Sequence, residues 1–127
     1  MGAELAIRGQ QSGIAPLNNF ADVIVVKLEL EKGSWVIFGR ALVDNFDSDP
    51  QDIAARIIHD ANVIIDGIGI HADGGTRHCL AVQATLRSNR AETVVLLCST
   101  YKGIAEYGSL IAFKVDDVTQ ASPVVFP

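Results

Sequence analysis

The sequence predicts an all-β fold, an antiparallel β-sandwich, from three observations. Short runs rich in Val, Ile, Leu and Phe recur at fairly even spacing, Gly, Asn, Asp or Pro bounds each run, and several runs are apolar on both faces; this is how a sandwich or barrel reads in sequence. Composition agrees. Hydrophobic residues make up 49% of the chain and charged residues 20%, too apolar a balance for disorder and enough for a packed interior or a large subunit interface. A chain of 127 residues has the size of one domain, so the expectation is a single unit over residues 1–127, with its core at 20–118 and flexible ends.

In chain order the predicted strands are Val23 to Leu30, Ser34 to Asp44, Val63 to His71, Arg77 to Leu86, Glu92 to Ser99 and Ser109 to Asp116. Leu17 to Ala21 fits either a first strand or a loose arm. Glu31-Lys32-Gly33 makes a tight turn between the first two runs, and Arg87-Ser88-Asn89-Arg90 closes a hairpin between the fourth and fifth. Asn45 to Pro50 is a polar loop. In Trp35-Val36-Ile37-Phe38 and in Val94-Val95-Leu96-Leu97 no polar side chain marks a solvent side. One face fills the core, and the other needs a second cover, because soluble monomers rarely expose a contiguous apolar patch beyond a few hundred Å2. A neighbouring subunit is the natural cover.

Residues 48–61 support two assignments. Ser48 as N-cap, Pro50 in the first turn and Gln51 three residues on form a capping box, and Ile53, Ile57 and Ile58 fit a helical stripe. A strand instead uses the alternating set Ile53, Ala55 and Ile57, with Arg56 and Ile58 opposite. Local signals alone leave the two in balance.

Charge narrows the partners. A formal net charge of −5, with ten scattered Lys and Arg residues, argues against nucleic acid, whose non-specific binding needs clustered cations. No segment approaches the roughly 20 apolar residues needed to cross a bilayer, and the start MGAELAIRGQQ lacks a signal-peptide pattern. The expectation is a soluble, cytoplasmic chain without a membrane partner. Cys79 and Cys98 are too few for a disulfide framework and are expected to be reduced.

Motifs that carry chemistry fail on their spacing. Gly67-Ile68-Gly69-Ile70-His71-Ala72 fits a dinucleotide fingerprint after a strand, but Asp73-Gly74-Gly75 breaks the helix that would hold the pyrophosphate. The glycines fit a bend or bulge better. Asp44, Asp47, Asp49 and Asp52 cluster as calcium ligands do, yet an EF-hand starting at Asp47 puts Asp52 where Gly is required and Ile58 where the bidentate Glu belongs. His59, His71 and His78 lack zinc spacing, so no metal and no other cofactor is expected. A histidine such as His71 or His78 at a subunit interface would tune assembly by protonation. Ser99, Ser109 and Cys98 lack a nucleophile's partners in sequence, which points away from an enzyme. Trp35, Arg77, Tyr101 and Tyr107 are the candidates for a carbohydrate site, where aromatic faces stack on sugars and polar groups fix hydroxyls.

The ordered features from Leu30 to Val118 resemble the jelly-roll superfamily of tumour necrosis factor and the globular heads of complement proteins, especially its small bacterial members. The entry Leu30-Glu31-Lys32-Gly33-Ser34-Trp35 is similar to that group's Gly-Ser-aromatic opening before a long strand, which here ends in DNFDSDPQD. The strands Leu80 to Leu86 and Val94 to Cys98 follow in the same order, and Tyr107-Gly108-Ser109-Leu110-Ile111-Ala112-Phe113-Lys114-Val115 is similar to the Leu-x-Ala-x-Lys-Val closing strand. The resemblance implies a ten-strand-type sandwich, a homotrimer about a threefold axis, and a strand at 48–61. Trp35, Phe38, Leu80, Val82 and Phe113 would then supply core and axis contacts. Some bacterial relatives pair a cysteine in that strand with one near the end of the penultimate strand; Ala55 takes the first position here, so Cys98 has no such partner. Members serve as receptor ligands, recognition heads or lectins, so the implied function is a non-catalytic binding or scaffold module with a carbohydrate or protein ligand. A metal-dependent enzyme on a cupin-like jelly roll would require His59, His71 and His78 to converge.

Overall fold

Alternating burial decides where each strand lies. The computed structural model describes residues 5–60, 63–119, 121–122 and 124–127, and among these it holds nine strands: β1 (Ala6–Gln10), β2 (Ala15–Asn18), β3 (Val23–Leu30), β4 (Gly33–Asn45), β5 (Gln51–His59), β6 (Val63–Ala72), β7 (Arg77–Ser88), β8 (Glu92–Thr100) and β9 (Lys102–Val115). They form two antiparallel sheets. The first runs β1-β9-β4-β7, with β2 also pairing β9, and the second runs β3-β8-β5-β6. Their facing sides interdigitate: Trp35, Ile37 and Val43 of β4 and Leu110 and Ala112 of β9 meet Ile53, Ala55 and Ile57 of β5 and Val94 and Leu96 of β8, all fully buried. Each such aliphatic side chain removed from water contributes about 1.5–3 kcal/mol.

From β2 onward every connection passes from one sheet to the other, except the β5–β6 hairpin. The result is an antiparallel jelly-roll sandwich. This corrects the expectation at Arg87 to Arg90. β7 lies in the first sheet and β8 in the second, so the turn carries the chain across the sandwich and closes no hairpin.

Residues 51–59 are a strand despite the capped-helix signature before them. β5 lies between β8 and β6, with ladder partners on both sides, and Ile53, Ala55 and Ile57 point inward together. A helix there would bury a similar set of isoleucines but would leave the edge of β8 unpaired, so the sheet overrides the local signal. Ala55 stands directly opposite Cys98. Both cysteines are free, Cys98 buried and Cys79 exposed on the other sheet.

Two other departures have local causes. β9 starts at Lys102 and not at Ser109, because the glycines that read as punctuation are sites of close approach: a Cβ on Gly103 would run into the carbonyl oxygen of Asp44. Tyr107 lies in the left-handed region (φ 56°), where the β4–β9 register shifts between Arg40 and Leu42, the mark of a bulge. β1 was not anticipated, since AIRGQ is short and mixed; its place is set by pairing with β9. Leu17 lies in β2, almost wholly buried.

Candidate functional site

The outer faces of the two sheets differ. On the second sheet, Val95 and Leu97 of the central strand point away from the core yet are each only 7% exposed. The register explains this. Val95 lies between Lys27 and Ile58, and Leu97 between Ile24 and Arg56, so long neighbours cover them and the Arg56 guanidinium is drawn to Asp22 at 2.8 Å. The apolar run in β8 is therefore sealed within one chain, which corrects the expectation that it needs a neighbouring subunit.

The first sheet is not sealed. Phe38 and Phe113 on its outer face are 43% and 39% exposed and meet edge to face, with ring centroids 6.2 Å apart. Val36 and Ile111 lie on the same face by register, since Val36 opposes Phe113 and Phe38 opposes Ile111. Beside them is a cavity of about 560 Å3 with Phe38, Ile111 and Ala81 among its walls and Arg8, Arg40 and Asp66 among its polar groups. At the end of β4 on the same face, Arg77 Nε donates to Asp44 Oδ1 at 2.7 Å, and its Nη2 lies 2.9 Å from Glu106. The hydrogen bond to Asp44, then the charges of Asp44 and Glu106, raise the Arg77 pKa above its usual value.

The sequence candidates scatter over this framework. Trp35 is fully buried and its Nε1 donates to the Glu31 carbonyl at 3.0 Å, so it packs the core and cannot face a ligand or a neighbour. Tyr107 is 72% exposed at the β9 bulge, on the strand that also carries Glu106, the partner of Arg77. Tyr101 sits at the opposite turn, packed against Phe20 with centroids 5.7 Å apart and the rings tilted by 42°. His71 Nδ1 lies 2.8 Å from Asp52, and His78 Nε2 lies 3.1 Å from the Thr76 hydroxyl. His59 lies 3.2 Å from Glu92. The register puts His59 and His71 at opposite ends of the β5–β6 pair, about 23 Å apart at roughly 3.3 Å per residue, so the three histidines do not converge as a cupin-like centre requires. Among the described residues no group of three or more His, Cys, Asp or Glu side chains is placed to hold a metal.

The Asp-rich loop is occupied by its own hydrogen bonds. Asp47 accepts from the Ser48 amide and from Gln51, at 2.9 and 2.8 Å, Asp44 is held by Arg77, and Asp52 by His71. Asn45, fully buried, donates through Nδ2 to the carbonyls of Asp49, Ala72 and Asp73 at 3.1–3.3 Å, and its Oδ1 accepts the Asp47 amide at 2.9 Å. One side chain thus ties the β4–β5 loop to the β6–β7 loop. Glu92, another buried polar group, accepts from Ser88 at 2.7 Å. A hydrogen bond shared with Asp60, then Ser88 and His59, hold its carboxyl down to about 2, while burial pushes the Cys98 thiol up to about 12, which makes it a poor nucleophile. Sequence reasoning missed Arg8, because its strand was not anticipated, and Arg40, because no motif contains it.

The class these features define is a jelly-roll β-sandwich whose second sheet covers its central outward residues and exposes Ile24 and Ile64 at its edge strands, and whose first sheet exposes a central aromatic pair. No protein-family model matches the chain, and no curated protein matches it. Among solved structures it is similar to the T13 particle of infectious bursal disease virus (TM-score 0.58, 10% identity, 87% of this chain and 31% of that one). It is also similar to the structure of the Gx strain of that virus (TM-score 0.55, 12% identity, 89% and 33%), and to its D431N mutant VP2 protein in derived T=1 particles (TM-score 0.55, 9% identity, 87% and 32%). At these identities the likeness shows the fold. The chain spans about a third of the length of the solved chains it matches.

Proposed function

We propose that this chain is a single, non-catalytic jelly-roll module that works by self-assembly, as a homotrimer covering the outer face of the first sheet. The observation that carries the reading is the adjacent aromatic pair: Phe38 and Phe113 stand exposed side by side on inner strands of the first sheet with Tyr107 also exposed, whereas the exposed outward aliphatics of the second sheet, Ile24 and Ile64, lie apart on its two edge strands. A second copy laid on that face would bury the aromatic pair and remove the apolar surface from water. Two further observations support it. The solved neighbours are proteins of viral particles, so jelly rolls of this shape do associate into shells, and the resemblance to the tumour necrosis factor superfamily implies threefold closure. Light scattering on the purified chain is expected to give about three times the 13.6 kDa chain mass. A monomer at micromolar concentration would sink the reading.

A lectin-like head is the second reading, favoured by Phe20 and Tyr101. These rings meet at a tilt, 50% and 43% exposed, on a turn where both Asn19 and Phe20 adopt left-handed backbone angles, a conformation that costs energy and tends to persist where it serves a site. A glycan array separates the two: binding that Tyr101→Ala abolishes supports the lectin, and an empty array removes it.

A further inference from the structure

The six arginines of the chain fall into two groups. Arg56, Arg77, Arg87 and Arg90 each lie within ion-pair distance of a carboxylate, at 2.8, 2.7, 3.5 and 3.6 Å. Arg8 and Arg40 have no carboxylate at that distance among the described residues. Both line the same cavity. In a chain of net charge −5 carboxylates are in excess, so two exposed guanidiniums left without one in a single concavity form a receptor for an anion from outside.

The register fixes what surrounds them. Arg8 of β1 opposes Ile111, Ile111 opposes Phe38, and Phe38 opposes Gln83, so one row across four strands runs from a cation over an apolar floor to an amide. That row is about 14 Å long at roughly 4.8 Å per strand. Arg40 lies one step along the sheet, opposite Ser109 and Ala81. At the far end Asp66 of β6 reaches over the edge of β7 and accepts the Gln83 amide at 3.0 Å. The trough therefore carries Arg8 at its β1 end, Arg40 on β4 beside the apolar floor and Asp66 at its β7 end, and the acid disfavours a second negative charge on anything that lies in it.

We propose that this trough binds an amphiphilic monoanion, its acid group held by Arg8 and Arg40 and its apolar body lying on Phe38 and Ile111. Carboxylate and phosphate share the required chemistry, since a guanidinium fork meets either with two parallel hydrogen bonds. Binding needs one chain only. Where a second copy covers the face, as proposed above, the anion is enclosed with it and offsets one of the two guanidinium charges that the neighbour would otherwise cut off from water unpaired; this enclosure, and not the binding, rests on the assembly.

Calorimetry on the full chain tests the site with octanoate, octyl phosphate and octanamide, which carry the same apolar body with and without charge. One or both anions should bind, with octanamide about tenfold weaker or worse, as the loss of a charge-assisted contact implies. The Arg8→Gln/Arg40→Gln variant should lose the same factor, while Arg87→Gln, whose partner is Asp117, should bind as the parent does. Both replaced side chains are exposed, and an unchanged thermal midpoint will confirm that the variant folds. Equal binding of octanamide and the anions, undiminished binding by the double variant, or no binding of either anion at millimolar concentration overturns the site. Light scattering on the same samples keeps the two proposals apart. A chain that binds neither anion, both as a trimer and when diluted to a monomer, removes the site and leaves the assembly; a chain that is a monomer at every concentration and binds them removes the assembly and leaves the site.

Discussion

The two outer faces of this sandwich are built from strands of similar hydrophobicity and expose different parts of them: isoleucines on edge strands, Ile24 and Ile64, on the second sheet, and an aromatic pair on inner strands of the first. On the second sheet the apolar outward residues sit on β8, a central strand flanked by Lys27, Ile24, Arg56 and Ile58, and long neighbours close over them. On the first sheet the outward aromatics sit on β4 and β9, adjacent to each other, and the strands beyond offer Ala6, Arg8, Thr85 and Gln83. Ala6 and Thr85 are too short to cover a phenylalanine beside them. An apolar run thus demands a partner molecule only when its lateral neighbours are too short to seal it, and a run of valines and leucines in sequence does not reveal which case applies.

Substitution on each face gives the largest contrast. Leu97→Asp puts a charge among covering side chains and is expected to cost about 3 kcal/mol of stability, read as a lowered urea midpoint. Phe113→Asp is expected to change the stability of one chain by less than about 1 kcal/mol while reducing the light-scattering mass to that of a single chain. If Leu97→Asp is tolerated, the second face is wet and the contrast fails.

Asn45→Ala comes next, at about 2 kcal/mol, because it strands the buried Ala72 carbonyl and unties the part-buried carbonyls of Asp49 and Asp73 at once. Its effect should appear in the unfolding midpoint of the assembled and the dissociated protein alike, since the tie lies within one chain. A loss seen only in the assembled form would place the β4–β5 loop at an interface and redraw the two faces.

The narrowest effect is on acid stability, since it appears only at low pH. Glu92 holds its proton only below about 2 when folded, against about 4.3 in an unfolded chain, so its contribution is complete above the unfolded value and is lost as pH falls from there towards 2. Urea midpoints at pH 6, 4 and 2.5 should fall less steeply in Glu92→Gln than in the parent. Parallel curves would mean that the contacts with Asp60, Ser88 and His59 do not favour the charged form.

Much of the strand pattern was legible because period-two burial and turn residues are local properties. Val23 to Leu30 matches β3 residue for residue, and the other predicted strands fall within or close to observed ones. The failures occur where partner strands decide. The capping box before β5 is a sound helix signal overridden by ladders on both sides, Gly103 and Gly108 mark close approach within β9 and not its start, and Arg87 to Arg90 turn between sheets. The candidate site was barely legible. Tyr107 and Arg77 do lie on the first sheet, but Trp35 is interior, and Arg8 and Arg40, thirty-two residues apart, share a cavity only because β1 and β4 both border β9.

By itself the sequence determined that this protein is a β-sandwich with a surplus of apolar side chains and a deficit of positive charge, because alternation and composition act residue by residue. Only the tertiary structure decided which surplus is hidden. That depends on which strands lie side by side, and so on the length of the side chains that register sets next to each aromatic and each arginine.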